Sequence, residues 1–161
     1  MIIVYSWKGT TLAYARILAD LRQESLFELK ESKKRNVAGC IFDSLLRREK
    51  QPVGMPDMSA IPDSEEITLC SPIWAGQIAA PIRYFFRRGG LQERKVNFLY
   101  TCLRMEQRNV YENMIRRLIV AAGGEPGFVM VMAGMVKDKI DEEIAHDHMK
   151  RILDEETVEA R

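Results

Sequence analysis

Residues 2–11 read Ile2-Ile3-Val4-Tyr5-Ser6-Trp7-Lys8-Gly9-Thr10-Thr11. A compact apolar, β-branched run gives way to a polar turn with one glycine, and the turn gives way to a helical pattern. Ile2 to Tyr5 reads as a buried strand. From Thr11 to Arg22, Tyr14, Ala15, Leu18 and Leu21 recur at helical spacing on one face. The intervening loop therefore joins a strand end to a helix N-terminus, where free N–H groups and the positive end of the helix dipole favour an anion. Gly9 would let the backbone approach a phosphate closely. Ser6, Thr10 and Thr11 offer hydroxyls, and Lys8 offers a flexible cation. A polar turn with a serine or threonine N-cap uses the same residue types, so this loop alone leaves both readings open.

The alternation continues downstream. Ser25 to Leu29 is a weaker strand candidate, and Ile67 to Cys70 a stronger one. A loop is expected from Ser71 to Ala80, and Pro81 suits the first turn of a helix whose buried stripe is Ile82, Phe85 and Phe86. Gly89-Gly90 supplies a left-handed stop. Val96 to Thr101 is a strand. Tyr111, Met114, Ile115, Leu118, Ile119 and Ala122 form the cleanest helical stripe, ended by Gly123-Gly124. Phe128 to Ala133 is a further strand, and Ile140, Ile144, His148 and Ile152 mark a final helix. Strands alternating with helices imply parallel strands with helical crossovers. The expected fold is α/β, a three-layer doubly wound sandwich of five parallel strands and about five helices in one domain spanning residues 1–161. One connection, from about 30 to 64, is longer than a simple crossover. It opens on Lys33-Lys34-Arg35, contains a short helix with Ile41, Phe42, Leu45 and Leu46, and ends in a loop marked by Pro52, Pro56 and Pro62. Connections of that length in compact domains are commonly functional.

Composition narrows the function classes. The chain has 161 residues, with 24 Lys+Arg against 23 Asp+Glu and a formal net charge of +1. Acids and bases are mixed, so nothing resembles the basic footprint of a nucleic-acid binder. No stretch approaches the roughly 20 apolar residues needed to span a bilayer, and no membrane partner is expected. The run Ile2-Ile3-Val4 is too short for a signal-peptide core and lacks preceding basic residues. Three cysteines, Cys40, Cys70 and Cys102, are odd in number and lack zinc-ligand spacing. They point to a reducing, cytoplasmic setting. His146 and His148, two apart, do not share a helix face, and no metal site is expected. Met130, Met132 and Met135 read as core filling.

In open parallel sheets, ligands bind beyond the carboxyl ends of the strands. Three loops qualify: Ser6 to Thr11, Ser71 to Gln77 and Cys102 to Asn109. There is no G-x-G-x-x-G after the first strand and no G-x-x-x-x-G-K-[ST] anywhere. A phosphorylated receiver domain would want aspartate at the end of the third strand, where Cys70-Ser71 stands. The second loop reads Ser71-Pro72-Ile73-Trp74-Ala75-Gly76-Gln77. Trp74 is a candidate platform for a planar ring, worth roughly 0.5–1.5 kcal/mol beyond area burial, or a residue that packs over neighbouring helices. Trp7 either covers the first loop or packs beside Tyr5. Cys102 is a candidate redox thiol, although a small half-buried cysteine is the commoner case.

Tyr5-Ser6, Gly9-Thr10-Thr11 and Ala15 together resemble the phosphate loop of the flavodoxin family. Ser71-Pro72-Ile73-Trp74-Ala75-Gly76 followed by Ala80-Pro81-Ile82-Arg83-Tyr84-Phe85 is similar to that family's second flavin loop and the helix after it. The motifs stand in the family's order, each after an apolar strand, and the element pattern matches over nearly the whole chain. The resemblance implies strand order 2-1-3-4-5 and FMN rather than FAD or NAD. It would place the phosphate on Ser6, Trp7, Lys8, Gly9, Thr10 and Thr11. The isoalloxazine ring would lie between the loop Pro72, Ile73, Trp74, Ala75 and Gly76 and the segment Thr101, Cys102, Leu103 and Arg104. Lys8 and Thr10 depart from the family's usual small hydroxyl residue and asparagine. Leu103-Arg104-Met105-Glu106 departs from its usual small residues, and near-neutral charge departs from its common acidity.

The expected function is FMN-dependent electron transfer, with a redox protein or a small-molecule acceptor as partner. An NAD(P)H-dependent reductase of quinone-type acceptors and a flavin-free binding module are the alternatives. Electron transfer through a flavin needs no acid, base or nucleophile from the protein, and no such constellation is apparent.

Overall fold

The structure is a computed structural model, and it describes residues 1–32, 36–62, 65–133 and 140–159. Strands β1 (Ile2–Val4), β2 (Leu26–Glu28), β3 (Ile67–Trp74), β5 (Lys95–Cys102) and β6 (Glu125–Ala133) form a parallel sheet in the order β2-β1-β3-β5-β6. A two-residue strand, β4 (Gln77–Ile78), folds back antiparallel on β3. Leaving aside that hairpin, the parallel order is the expected 2-1-3-4-5.

Period-two alternation sorts the strand residues between two cores. Ile2, Val4, Cys70, Leu99, Met130 and Met132 face helices α1 (Thr10–Arg22) and α5 (Glu142–Glu159), meeting Tyr14, Leu18, Ala145 and Met149. Ile3, Leu69, Phe98 and Tyr100 face the other way, toward α3 (Ala80–Arg88) and α4 (Arg108–Ala121), meeting Ile82, Phe85, Ile115 and Ile119. Both sheet faces are thus covered, which is why the inner strands are apolar at nearly every position. Met130 and Met132 are core residues. Met135 and Lys33-Lys34-Arg35 lie outside the described residues.

Two expectations need correction. The third strand does not stop at Cys70 but runs through Ser71, Pro72 and Ile73 to Trp74. Ser71 and Pro72 lie in register with Tyr100 and Thr101 of β5, so sheet pairing overrides the turn character of Ser-Pro. In and just before the final helix, Ile140 and Ile152 pack on the core as expected, but Ile144 is 68% exposed and Ala145 and Met149 are buried instead. On the short helix α2 (Val37–Leu45), Cys40 and Ser44 turn inward, and Ile41, Phe42, Leu45 and Leu46 remain exposed.

The long connection is held down largely by two buried arginines. Arg94 donates to the carbonyls of Met58, Ile61 and Pro62. Arg83, on α3, donates to those of Asp43, Arg48 and Ile78. Val53 bridges back to Lys30. Each guanidinium offers several N–H donors in a fixed fork, suited to gathering carbonyls from separate parts of the chain.

The amino end of the sheet carries an ionic cluster. The Glu66 carboxylate accepts from Arg22 at 3.0 Å, Lys95 at 2.8 Å and Asn97 at 2.8 Å. Burial pushes its pKa up, but the hydrogen bonds from Lys95 and Asn97 and the charges of Lys95 and Arg22 outweigh it and bring it from 4.5 to about 2. A carboxylate with a depressed folded pKa stabilises the fold fully above its unfolded pKa, and that stabilisation is lost as pH falls toward the folded value. Between pH 5 and pH 2 the urea midpoint should therefore drop. Glu66→Gln should remove on the order of 1–2 kcal/mol of that dependence, after discounting for solvent screening. Equal pH dependence in the variant and the parent would show that the cluster is not coupled to folding.

Candidate functional site

At the carboxyl edge of the sheet, the loop between β1 and α1 is shaped by Gly9. Its φ is 87°, and it stands as N-cap of α1 without a side-chain cap bond. A left-handed φ here strongly favours glycine. The first-turn amides of α1 consequently face the loop rather than a capping side chain. Ser6, Trp7 and Thr10 are half-buried around it and Lys8 is exposed. Thr11 is turned inward: it is 1% exposed, and its hydroxyl shares a 2.8 Å hydrogen bond with that of Thr101 on β5. Its hydroxyl ties the start of α1 to the sheet.

The β3–β4 hairpin stands beside this loop. Its two turn residues, Ala75 (φ 47°) and Gly76 (φ 74°), both have positive φ, the geometry that matches the twist of paired strands. The turn presents Trp74, half-buried, toward the first loop. The Trp74 ring meets Tyr5 at 6.0 Å between centroids and Trp7 at 6.3 Å, both edge to face. Lys8 Nζ lies 4.9 Å from the centre of the Trp7 ring. Tyr5 donates to Glu31 Oε2 at 2.9 Å. Trp7 therefore packs against Trp74, and the two loops touch through aromatic rings. Pro72 and Ile73 are buried in the sheet below. The hairpin base is fastened by Ser71, whose Oγ donates to Pro72 O and accepts from Ala79 N.

The third loop leaves β5 at Cys102. Leu103 is 84% exposed and Arg104 is exposed, and a 3-10 turn, Met105–Gln107, leads into α4. Thr101 and Cys102 are buried. Burial pushes the Cys102 thiol up, and the nearby Glu106 charge adds to this. An activated redox thiol is helped by the opposite shift; Cys102 is 4% exposed, its thiol set against Arg104 O and Met105 Sδ.

The three loops expected to form one site leave the same, carboxyl edge of the sheet: the first and second meet through Trp7 and Trp74, and the start of α1 meets Thr101, just before the third. A concavity lined by Met55, Met58, Tyr84, Arg88 and Gly90 lies at the far end of α3. It holds none of the three loops. Two residues of the site's framework, Ser71 and Arg83, stand in the second-loop motif, but their bonding roles were not legible in the sequence. The available signal for Arg83 was a cation beside Ile82, Phe85 and Phe86 on a short helix, since a buried guanidinium must be fully hydrogen-bonded.

Trp74→Ala should weaken FMN binding about tenfold if the ring stacks on the flavin, which corresponds to ~1.4 kcal/mol. It should also shift the flavin's reduction potential. If affinity and potential both stay put, Trp74 serves only to pack Tyr5 and Trp7.

No family model matches the chain, and no curated protein does. Solved structures do. A flavoprotein of Lactobacillus acidophilus NCFM, crystallised in complex with FMN, superposes with a TM-score of 0.60 at 21% identity over 81% of this chain and 90% of that one. A provisionally named flavoprotein of Bacteroides eggerthii gives 0.70 at 13% identity, covering 94% and 96%. A flavodoxin of Streptococcus pneumonia TIGR4 gives 0.54 at 16% identity, covering 91% of each. By strand order, layering and these superpositions, the chain has the flavodoxin-like α/β fold.

Proposed function

We propose that this chain is an FMN-binding electron-transfer protein. The observation that carries the reading is Gly9, in the left-handed conformation at the head of α1, beside the Trp74 hairpin on the carboxyl edge. The residues fit the group: an uncapped helix start with a cation, Lys8, for a phosphate, and an aromatic ring next to it for a planar heterocycle. FMN, when bound, takes up and releases electrons one or two at a time. The chain's own part is to hold the phosphate at Ser6 to Thr10, with Thr11 fixing the helix against β5, and to orient the ring between Trp74 and the 101–104 segment. Exposed Arg104 would favour an anionic, reduced ring, and Glu106 would oppose it.

The fold family neighbour solved with FMN supports the choice of cofactor. Three free, buried cysteines support a cytoplasmic setting. No helix among the described residues is long and apolar enough to cross a membrane. The electron partner is a redox protein or a small-molecule acceptor, with NAD(P)H as a candidate donor. The deciding experiment is a visible absorbance titration of the purified protein with FMN, then with NADH and NADPH. Flavin uptake without bleaching by nicotinamide fits a carrier, and bleaching fits a reductase. Absence of uptake would overturn the flavin reading and leave a flavodoxin-like binding module.

A further inference from the structure

We infer that Arg83 is the positioning residue of the candidate site: it fixes the Trp74 hairpin against helix α2, and so sets the spacing between the hairpin and the first loop. The inference rests on the flavin reading only for its ligand, not for its geometry.

Arg83 is 8% exposed. Its Nη1 donates to Ile78 O at 2.9 Å, and its Nη2 to Asp43 O at 2.8 Å and to Arg48 O at 2.7 Å. Its Nε also reaches Arg48 O, at 3.2 Å. One cation therefore spans three carbonyls on two separate pieces of chain. Asp43 lies in the last turn of α2, its carbonyl also accepting from Arg48 N at 2.9 Å, and Arg48 lies just beyond the helix, where a positive charge is favourable. Ile78 is the last residue of β4 and pairs with Ile73, one residue before Trp74. Trp74 in turn contacts Tyr5 and Trp7. A continuous path thus runs from α2 through the guanidinium and the hairpin to the aromatic residues of the first loop.

Lysine cannot take this place. A single ammonium is a point donor on a flexible stem and lacks the planar fork that reaches carbonyls on either side. At least one buried carbonyl would lose its partner, and the hairpin would lose its tie to α2. Arg94 supplies an internal control. It is 4% exposed and also donates to three carbonyls, but it holds residues 58–62 at the amino end of the sheet, far from the three loops.

The test compares Arg83→Lys with Arg94→Lys. Both should lower Tm. Only Arg83→Lys should reduce the near-ultraviolet circular dichroism of the Tyr5, Trp7 and Trp74 cluster in the flavin-free protein, by about half or more. Only Arg83→Lys should raise the FMN Kd, by about tenfold. Equal near-ultraviolet spectra and Kd values for the two variants would overturn the inference. If the parent takes up no FMN, the flavin reading fails, while the flavin-free spectrum still decides the role of Arg83. If Arg83→Lys does not fold, native-state hydrogen exchange of the parent decides it. Amides at the end of α2 and in the hairpin should open together as one unit; separate opening would overturn the inference.

Discussion

Replacing Gly9 with valine should raise the FMN Kd about 100-fold or more, equivalent to ~2.7 kcal/mol, while the protein stays folded. Valine is β-branched, and holding it at a φ of 87° costs about 1–3 kcal/mol. Either the loop keeps its shape under that strain, or φ relaxes and the first-turn amides of α1 turn away. In both cases the extra side chain would stand where, in the proposed FMN site, the backbone approaches the phosphate. The core beneath is untouched, because Tyr14, Ala15 and Leu18 pack on the sheet from later turns of the helix. Far-ultraviolet circular dichroism should be unchanged, and Tm should fall by about 2–12 °C. Gly9→Ala, with the same φ problem but less bulk, should lie between parent and valine. Equal FMN affinity in all three proteins would remove the phosphate from this loop.

The second large effect is on stability and falls at the opposite end of the sheet. Asn97→Leu should destabilise the fold by about 3 kcal/mol, lowering Tm by about 6–12 °C, without changing FMN affinity. Asn97 is fully buried in β5, where the register with β6 slips between Val96 and Phe98. Its Oδ1 accepts from Phe128 N at 3.0 Å, and its Nδ2 donates to Glu66 at 2.8 Å. The side chain thus stands in for the ladder bond that the slip removes, and it joins the sheet to the Glu66 cluster. Leucine leaves the Phe128 N–H buried and unpaired and takes a donor from a partly buried carboxylate. Gly127 is matched to this arrangement: a Cβ there would lie 1.9 Å from Asn97 Oδ1. An unfolding free energy from chemical denaturation within about 0.5 kcal/mol of the parent, on the scale of an ordinary surface change, would show that water replaces the amide at no cost. A loss of flavin affinity in this variant would mean that the two ends of the sheet are coupled.

Local periodicity determined most of the fold by itself. Ile2-Ile3-Val4, the Tyr111 to Ala122 stripe, and the glycine pairs at 89–90 and 123–124 each act through neighbours in sequence, and the strands and helices they mark are where they were expected. Gly9 belongs here too, because a left-handed turn is a property of a residue and its immediate chain. Other features depended on contacts between distant residues, which periodicity does not contain. Register with β5 drew Ser71 to Trp74 into the sheet, although Ser-Pro reads as a turn. The direction of Trp7 was settled by Trp74, sixty-seven positions away, and that of Thr11 by Thr101. The roles of Arg83 and Asn97 are invisible in one dimension, because a buried polar group is defined by the carbonyls, amides and carboxylates that the fold brings to it. Short-range preferences thus set which elements form, whereas contacts between distant residues, ring on ring for Trp7 and Trp74 and hydroxyl on hydroxyl for Thr11 and Thr101, fixed how the first loop meets the hairpin and the sheet.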